Sequence, residues 1–360
     1  MKSWLSQRAP ASEARPYTEH CPVDISLKES TRSPSTPAET HRSHRGFVFL
    51  LQGGSLAVFT SVMIYFAIAA PGFLALSNIA NVLEQSAILG VLSFGMTIVF
   101  IGGGSDVVTG GIDLSLANNL GLSAAVYSTL VRSGYSDAVA LPLTLLTGLA
   151  VGSVNAFAVV GLNMLPLLAT LTVMNICAGF ELVLTQNTVV QATSPLLSAI
   201  ADTGPFGVPN LAYFILFLAA LLIFGIEHTP FGLRLYAVGA YRQAARAAGL
   251  RINRYLIATY LLSGLCGGIA ATLSVALLSG SSTGSGEMLL PVVFAALLGV
   301  VFSRRLVPSI SGTLLSVLFI GFLINGFQLT NVSSYWVNGV EGVLILLVVA
   351  ATSLSRRGQS

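Results

Sequence analysis

The sequence predicts an all-α membrane protein with about ten transmembrane helices, and three observations support that fold class. Of the 360 residues, 54% are hydrophobic and only 9% are charged, whereas a soluble protein carries about 25% charged residues. The mean hydropathy of +0.82 over the whole chain indicates many membrane spans rather than one large water-soluble core. Helices are expected because an open strand edge in lipid would leave its backbone polar groups unpaired.

The first 46 residues differ in composition from the rest of the chain. They mix Ser, Thr, Pro and charges of both signs without an apolar period, which predicts a disordered cytosolic tail. This tail lacks the apolar stretch of a cleaved secretory signal, so the first span is expected to direct insertion. The predicted organisation is a tail at 1–46, a transmembrane domain at 47–354 that includes a cytosolic loop at 229–255, and a cytosolic C-terminal tail at 355–360.

Apolar runs bounded by Gly, Pro, Asn or charged residues predict the spans. Most runs approach the ~20 residues that cross ~30 Å of hydrocarbon. The predicted spans are 47–70, 84–104, 112–131, 138–160, 165–185, 210–228, 256–279, 288–302, 309–328 and 336–353. The run at 288–302 is short and contains Pro291, so it is either a tilted short helix or a partly re-entrant segment.

Two segments of the chain resemble each other. The run TLLTGLAVGSVNAF at 144–157 is similar to TLLSVLFIGFLINGF at 313–327, with one residue inserted. In the ten-span topology these segments run in opposite senses, as expected for two pseudo-repeated halves of an inverted repeat. Chance similarity between two helices rich in Leu and Gly is the alternative.

The placement of positive charge predicts the orientation in the membrane. With the N-terminus inside, sixteen of the seventeen Lys and Arg residues fall on the cytoplasmic side, and Arg132 alone falls outside. This asymmetry follows the positive-inside rule. Both termini and the 229–255 loop are therefore expected in the cytosol.

One basic segment interrupts the apolar chain. The run GLRLYAVGAYRQAARAAGLRINRY at 232–255 holds five arginines, six alanines, three glycines and no acidic residue. Alanine favours a helix and permits close approach of a second backbone. Gly239 and Gly249 suit the ends of such a helix, where tight or left-handed turns are needed.

Several kinds of chemistry have no residues to support them. No lysine follows Lys28, so the chain lacks the Gly-Lys-Ser/Thr of a Walker A loop. The cysteines Cys21, Cys177 and Cys266 are scattered and have neither disulfide-framework nor zinc-site spacing. No catalytic Ser/His/Asp or Cys/His set is apparent, so the sequence predicts a chain that is not an enzyme, without metal or cofactor of its own.

Acidic residues inside the predicted spans are few. Asp106 and Asp113 lie in the turn between the second and third spans, and Glu181 is the most embedded acid. Ionisable groups within a membrane are costly and functional by default, but none of these acids has a nearby intramembrane Lys or Arg. The residues offer little for a proton or sodium relay, so the energy for any transport is expected from elsewhere.

Five motifs occur in an order that matches a known family. They are LGVLSFGMTIVFI at 89–101, TGGIDLSLANNLGLSAAV at 109–126, LPLLATLTVMNICAGFELVLT at 165–185, TPFGLRLYAVGAYRQAARAAGLRINRYLIATYLLSGLCGGIAATL at 229–273 and VSSYWVNGVEGVLILLVV at 332–349. Together they resemble the permease subunits of bacterial ABC importers for ribose, xylose and related sugars. The resemblance implies a type II importer fold in the inner membrane. It also implies a second permease subunit, two cytosolic ATPase subunits that use ATP-Mg, and a periplasmic solute-binding protein.

The resemblance also implies a role for the basic segment. It would be a short cytosolic coupling helix that sits in a groove of the ATPase subunit. Its arginines can pair with acids of that partner and hold the loop inside. The implied coupling residues are Gly239, Arg242, Ala244, Ala245, Arg246, Ala248 and Gly249. The alternative is a positive-inside loop with an amphipathic turn and no partner.

The glycine-rich turn at 102–115 has two interpretations. Its glycines suit a broken helix that lines a translocation path. Alternatively it is a connector in which the Asp113 carboxylate accepts hydrogen bonds from the first backbone N–H groups of the next helix, those of Leu114–Leu116. The turn holds about seven residues more than the family pattern, and the 299–312 turn carries bulky and charged residues where the family has small ones.

Residues with small or polar side chains in or beside the spans are the candidates for the translocation path. The candidates are Gly95, Met96, Thr97, Gly110, Gly111, Asp113, Ser115, Asn155, Asn175 and Asn325. The asparagines can hydrogen-bond sugar hydroxyls, or they can join helices to each other.

Four functions fit the sequence. The first is an ABC permease for a sugar or similar small polar solute, with no nucleic-acid partner. The second is a branched-chain amino acid ABC permease. It is less favoured, because the carboxylate of an amino acid should require a cationic or helix-N-terminal site and the membrane interior holds no Arg or Lys. The others are an ATP-independent secondary carrier and a membrane scaffold that transports nothing.

Overall fold

The computed structural model describes residues 57, 59–104, 111–303, 306–332, 336, 339 and 342–343. Over this part of the chain the regular secondary structure is helical, and the pairing between extended segments is limited to isolated bridges such as Gln191 with Gly280. The all-α class is therefore confirmed. The predicted tail at 1–46, the C-terminal tail at 355–360 and most of the span at 336–353 lie outside the described residues.

The helices are numbered in chain order. They are α1 Phe59–Ala69, α2 Leu76–Gly103, α3 Leu116–Arg132, α4 Asp137–Ala156, α5 Pro166–Thr185, α6 Pro195–Ala201, α7 Asn210–Leu222, α8 Pro230–Ala240, α9 Arg242–Ala247, α10 Ile252–Leu278, α11 Leu289–Phe302 and α12 Ile310–Leu329. Two of them continue into a π-helical turn, α4 through Phe157–Gly161 and α7 through Ile223–Glu227.

Seven described helices are long and apolar enough to cross a membrane. They are Leu76–Gly103, Asp137–Gly161, Pro166–Thr185, Asn210–Glu227, Ile252–Leu278, Ser285–Phe302 and Ile310–Leu329. Each overlaps one of the predicted spans. Helix α3, with 17 residues, and the shorter α1 occupy two further predicted spans, so the total of ten and the two related halves stay predictions.

The doubtful run at 288–302 belongs to a helix of sufficient length. A 3₁₀ turn at Ser285–Met288 leads directly into α11, and together they give 18 residues. Pro291 is the third residue of α11. Its missing N–H costs little there because the first four N–H groups of a helix have no partner within it.

Helix α10 lies at the centre of the bundle, packed against α2, α3 and α4. Its Gly264 and Gly268 face Gly148 and Gly152 of α4. A Cβ atom on Gly264 would lie 2.9 Å from the Cα of Gly152, and one on Gly148 would lie 2.8 Å from the backbone N of Gly268. Small residues four apart on both helices let the two backbones approach closely, as in other membrane helix pairs.

Polar side chains reinforce this central packing. Asn119 of α3 is buried and donates from Nδ2 to the carbonyl of Gly264 at 3.1 Å. A Cβ on Gly267 would lie 2.8 Å from the Cγ of that asparagine. The glycines of α10 therefore accommodate a backbone on one side and an amide side chain on the other.

Candidate functional site

The basic segment forms two short helices before α10 begins. Thr229 begins α8, because its Oγ1 accepts a hydrogen bond from the N–H of Gly232 at 3.5 Å, and Pro230 is the first helical residue. Both are typical of a helix N-terminus. Helix α8 packs against the end of α2, where a Cβ on Gly102 would lie 2.9 Å from Cδ1 of Leu235.

Gly239 differs from its expected position. It lies inside α8, not at an end of the next helix, and a Cβ there would collide with the carbonyl oxygen of Ile101. Close approach to α2 explains this glycine. Gly249 follows α9 with φ +80°, the left-handed conformation that glycine adopts without strain, as expected.

Helix α9 presents most of the expected coupling residues to the outside. Ala245 is 5% exposed and packs with Val238 and Ile252. The other expected coupling residues after α8 are exposed, namely Arg242, Ala244, Arg246, Ala248 and Gly249. Ala245 is therefore the buried side chain of this six-residue helix, and the remaining surface holds two arginines, a glutamine and small side chains.

Arg242 has a partner inside the protein. Its Nη2 donates a hydrogen bond of 2.9 Å to the carbonyl oxygen of Gly103, the last residue of α2. A cation is favourable there because the C-terminal carbonyls of a helix carry partial negative charge. Arg242 thus joins the basic segment to α2.

A buried polar cluster lies where α3, α4 and α10 meet. The Asp113 carboxylate is 1% exposed. Its Oδ1 accepts from the Oγ of Ser115 at 2.7 Å, from the N–H of Ser115 at 3.1 Å and from Nδ2 of Asn155 at 3.1 Å. Its Oδ2 accepts from the Oγ of Ser263 at 2.7 Å. We call Asp113, Ser115, Asn155 and Ser263 the Asp113 cluster.

The cluster changes the interpretation of the glycine-rich turn. Asp113 accepts from the N–H of Ser115, just before α3, as the connector interpretation expects. Its carboxylate also reaches α4 and α10, which that interpretation did not include. Asn155 donates a second hydrogen bond, of 2.7 Å, to the Oγ of Ser115, and its Oδ1 has no hydrogen-bond partner in the described part of the chain.

The remaining path candidates are distributed through the bundle. Gly95 faces α10, and a Cβ there would lie 3.0 Å from the Cβ of Cys266. Met96 is fully buried. Thr97 hydrogen-bonds Thr313 of α12 with 2.7 Å between the hydroxyl oxygens.

The other glycine candidates flank the turn. Gly111 packs against α2, because a Cβ there would lie 2.8 Å from the Cα of Gly103. Gly110 lies outside the described residues.

Two asparagine candidates have different environments. Asn325 of α12 exchanges two hydrogen bonds with Asn78 at the start of α2, at 2.8 and 3.0 Å. Asn175 is exposed on α5, where its Nδ2 donates to the carbonyl of Leu171 at 2.8 Å. Asn325 thus joins two helices, whereas Asn175 offers its amide oxygen to whatever faces α5.

Sequence reasoning missed three of these polar partners, Ser263, Asn119 and Asn78. The spacing of Gly148 with Gly152 and of Gly264 with Gly268 was the available signal, because glycines four apart mark close helix crossings. Ser263 directly precedes such a glycine. Its position could have indicated a polar contact at the crossing.

The bundle of apolar helices and its buried polar contacts define a multi-pass membrane protein. Residues 78–349 match the family model described as branched-chain amino acid transport system / permease component. The chain therefore belongs to this family of permease components.

Similar proteins share most of the length of this chain. It is 32% identical to the ribose import permease protein RbsC of Escherichia coli K12 over 308 residues, which cover 84% of this chain and 93% of the relative. It is 33% identical to RbsC of Bacillus subtilis 168 over 314 residues, covering 86% and 95%. It is 29% identical to the autoinducer 2 import system permease protein LsrD of Photorhabdus laumondii over 301 residues, covering 81% and 88%. No solved structure matches the chain at a significant level.

Proposed function

We propose that this chain is the transmembrane subunit of an ABC importer and forms the path for a sugar or a similar small polar solute across the inner membrane. The observation that carries the proposal is its similarity to two ribose import permeases over 93% and 95% of their length. The chain performs no bond chemistry in this role. ATP bound with magnesium is hydrolysed in a partner subunit, and a periplasmic protein delivers the solute.

The surface of α9 supports contact with the ATPase. It is exposed, short and basic, and the 229–255 segment contains no acid that would neutralise it. Small side chains at Ala244 and Ala248 allow a second backbone to approach, while Arg246 can pair with a carboxylate of the partner. The charge asymmetry supports a cytosolic position for this surface, on the side where the nucleotide is available.

The exposed amide of Asn175 supports a path shared with a second permease subunit. A polar group that faced lipid hydrocarbon in the middle of α5 would be costly. Thr172 and Gly179 are exposed on the same helix, so this face is less apolar than a lipid-facing surface requires. A second subunit opposite α5 would leave a polar lining between the two chains.

The charges of the spans favour a neutral solute over an amino acid. Arg254, in the first turn of α10, is the one Lys or Arg within the seven described spans. An amino acid carboxylate would need a cation or a helix N-terminus inside the membrane. The family description names branched-chain amino acids, so leucine is the competing solute in the test.

The test is uptake into proteoliposomes that contain the full chain and its ATPase. The cognate binding protein is supplied on the periplasmic side of the permease. We expect ATP-dependent uptake of ribose or a related sugar. No uptake is expected when the ATPase is omitted and a proton or sodium gradient is applied. Gradient-driven uptake by the permease alone would identify a secondary carrier, and ATP-dependent uptake of leucine alone would identify an amino acid permease.

The contact with the ATPase has its own test. Arg246→Glu should reduce co-purification of the ATPase and ATP-dependent uptake, because it reverses an exposed charge on α9. Arg132→Glu is the matched control, since Arg132 is also exposed but lies at the end predicted to be outside. Arg242 is unsuitable for this test because its substitution would also break the hydrogen bond to Gly103. Equal co-purification in both variants and the wild type would contradict the α9 contact.

A further inference from the structure

A cavity of ≈ 280 Å³ lies beside α9. Its walls come from the end of α2, the connection between α4 and α5, and the start of α10. Val99, Val160 and Leu256 provide apolar lining, and Arg242 and Arg246 provide positive charge. The cavity therefore combines two guanidinium groups with an apolar wall, at the end of the bundle that the charge pattern assigns to the cytosol.

The two arginines retain capacity for an anion. A guanidinium has five N–H donors in a planar fork, and the hydrogen bond to Gly103 holds the Arg242 side chain at the cavity through Nη2. Arg246 is exposed one helical turn further on. Because 229–255 contains no acidic residue, the segment itself does not neutralise either charge. Paired guanidinium groups fit the oxygens of a phosphate better than those of an uncharged solute.

Amide side chains and a helix start complete the polar part. Asn163 and Asn253 line the cavity, and Asn253 lies in the first turn of α10. The backbone N–H groups of a first helical turn carry partial positive charge and favour anions. All of these groups supply hydrogen-bond donors, and among the residues that the structure describes no Asp or Glu lines the cavity.

We propose that this cavity binds a phosphate group that carries an apolar or short polyol attachment. The headgroup of an anionic phospholipid has that chemistry, and so does a free phosphorylated small molecule. The apolar wall and the position at the cytosolic end of the spans favour the lipid, because anionic lipids accumulate in the cytoplasmic leaflet and attract Arg near its surface. The proposal shares Arg246 and the cytosolic orientation with the proposed function, but its readout is lipid retention by the permease chain without the ATPase, so the two can fail separately.

The volume limits what enters. Sites for small molecules commonly enclose about 300–1,000 Å³, so ≈ 280 Å³ admits a phosphate with a glycerol-sized attachment but not two acyl chains. The chains of a bound lipid would lie along the outside of the bundle. Arg242, held on the end of α2, would couple occupancy of the cavity to the position of that helix.

The test measures phosphatidylglycerol and phosphatidylcholine retained by the full-length protein after purification from mixed micelles. Arg242→Gln/Arg246→Gln removes both cavity charges. The matched control Arg251→Gln/Arg254→Gln removes two exposed charges of the same cytosolic segment that do not line the cavity. We expect the wild type and the control to prefer phosphatidylglycerol, and the cavity variant to lose that preference by about thirtyfold, the order expected for two arginines near an anionic headgroup.

A second variant changes shape without changing charge. Val160→Phe would fill part of the apolar wall, so it should also weaken retention of phosphatidylglycerol. Retention unchanged in Val160→Phe would show that the lipid binds elsewhere and would overturn the assignment. Equal losses in the two double variants would show nonspecific surface attraction and would also overturn it.

A third arm distinguishes the two sources of phosphate. Thermal unfolding of the protein in micelles of a non-ionic detergent without phosphate is compared in chloride and in inorganic phosphate at equal ionic strength. Stabilisation by phosphate in the wild type but not in Arg242→Gln/Arg246→Gln, without a lipid preference, would support a site for a soluble phosphorylated molecule. If the wild type shows no stabilisation by phosphate and no lipid preference, the site is refuted.

Discussion

Replacement of Asp113 tests whether its carboxylate serves mainly as a hydrogen-bond acceptor between helices. In Asp113→Ala, the N–H and the hydroxyl of Ser115, the hydroxyl of Ser263 and the amide of Asn155 each lose an acceptor. A buried donor left unpaired costs about 1–3 kcal/mol. Four such donors at the lower end of that range give a loss of about 4 kcal/mol in the free energy of unfolding.

Asp113→Asn is the informative companion variant. Its Oδ1 can keep all three hydrogen bonds that converge there, while its NH₂ can donate to the Oγ of Ser263, because a hydroxyl both donates and accepts. The loss of charge weakens these bonds but also removes the cost of burying a carboxylate. We therefore expect a change of about 1 kcal/mol or less.

The assay is chemical or thermal unfolding of the purified full chain in detergent, with uptake measured in parallel. The expected order of stability is wild type close to Asp113→Asn, and both well above Asp113→Ala. If Asp113→Asn were as unstable as Asp113→Ala, the negative charge itself would be required. If Asp113→Ala unfolded like the wild type, the Asp113 cluster would not hold α3, α4 and α10 together.

Two further predictions concern helix packing. Gly264→Ala places a Cβ 2.9 Å from the Cα of Gly152 and should lower the free energy of unfolding by about 1–3 kcal/mol. In the control Gly179→Ala, the new Cβ meets no atom within 4 Å, so no loss of stability is expected. Equal stability of these two alanine variants would refute the close crossing of α4 and α10. Asn325→Leu should cost about 1 kcal/mol because it removes both hydrogen bonds with Asn78 and leaves the Asn78 amide with its bond to the carbonyl of Phe73 alone. The double variant with Asn78→Leu should cost less than the sum of the single variants, and strict additivity would contradict their coupling.

Composition and hydropathy were sufficient to predict the helical class and the approximate position of most spans. The start of the second span was less accurate, because α2 begins at Leu76 rather than near 84. Ser77, Asn78 and Asn81 interrupt the apolar run at the start of α2. Asn78 is compatible with the helix because its amide bonds both the carbonyl of Phe73 and the side chain of Asn325, and Asn325 is 247 residues away.

The candidate site was predictable as a set of residue types but not as a set of contacts. Asp113 and Ser115 are close in sequence, but Ser263 reaches the same carboxylate from 150 residues away. Likewise, Arg242 resembles any other arginine of the basic segment until its hydrogen bond to Gly103 is seen. Such pairings depend on the crossing of helices, which a pattern within one helix does not specify.

Cysteine accessibility on α9 tests the central claim, that this exposed basic helix lies on the cytosolic side and contacts a separate ATPase subunit. In Ala244→Cys with Cys21→Ala, the new thiol lies on an exposed position, while Cys177 and Cys266 are buried. An impermeant maleimide should label this thiol in inside-out vesicles, and bound ATPase should protect it. Labelling from outside intact cells, or labelling in vesicles that the ATPase leaves unchanged, would contradict the account.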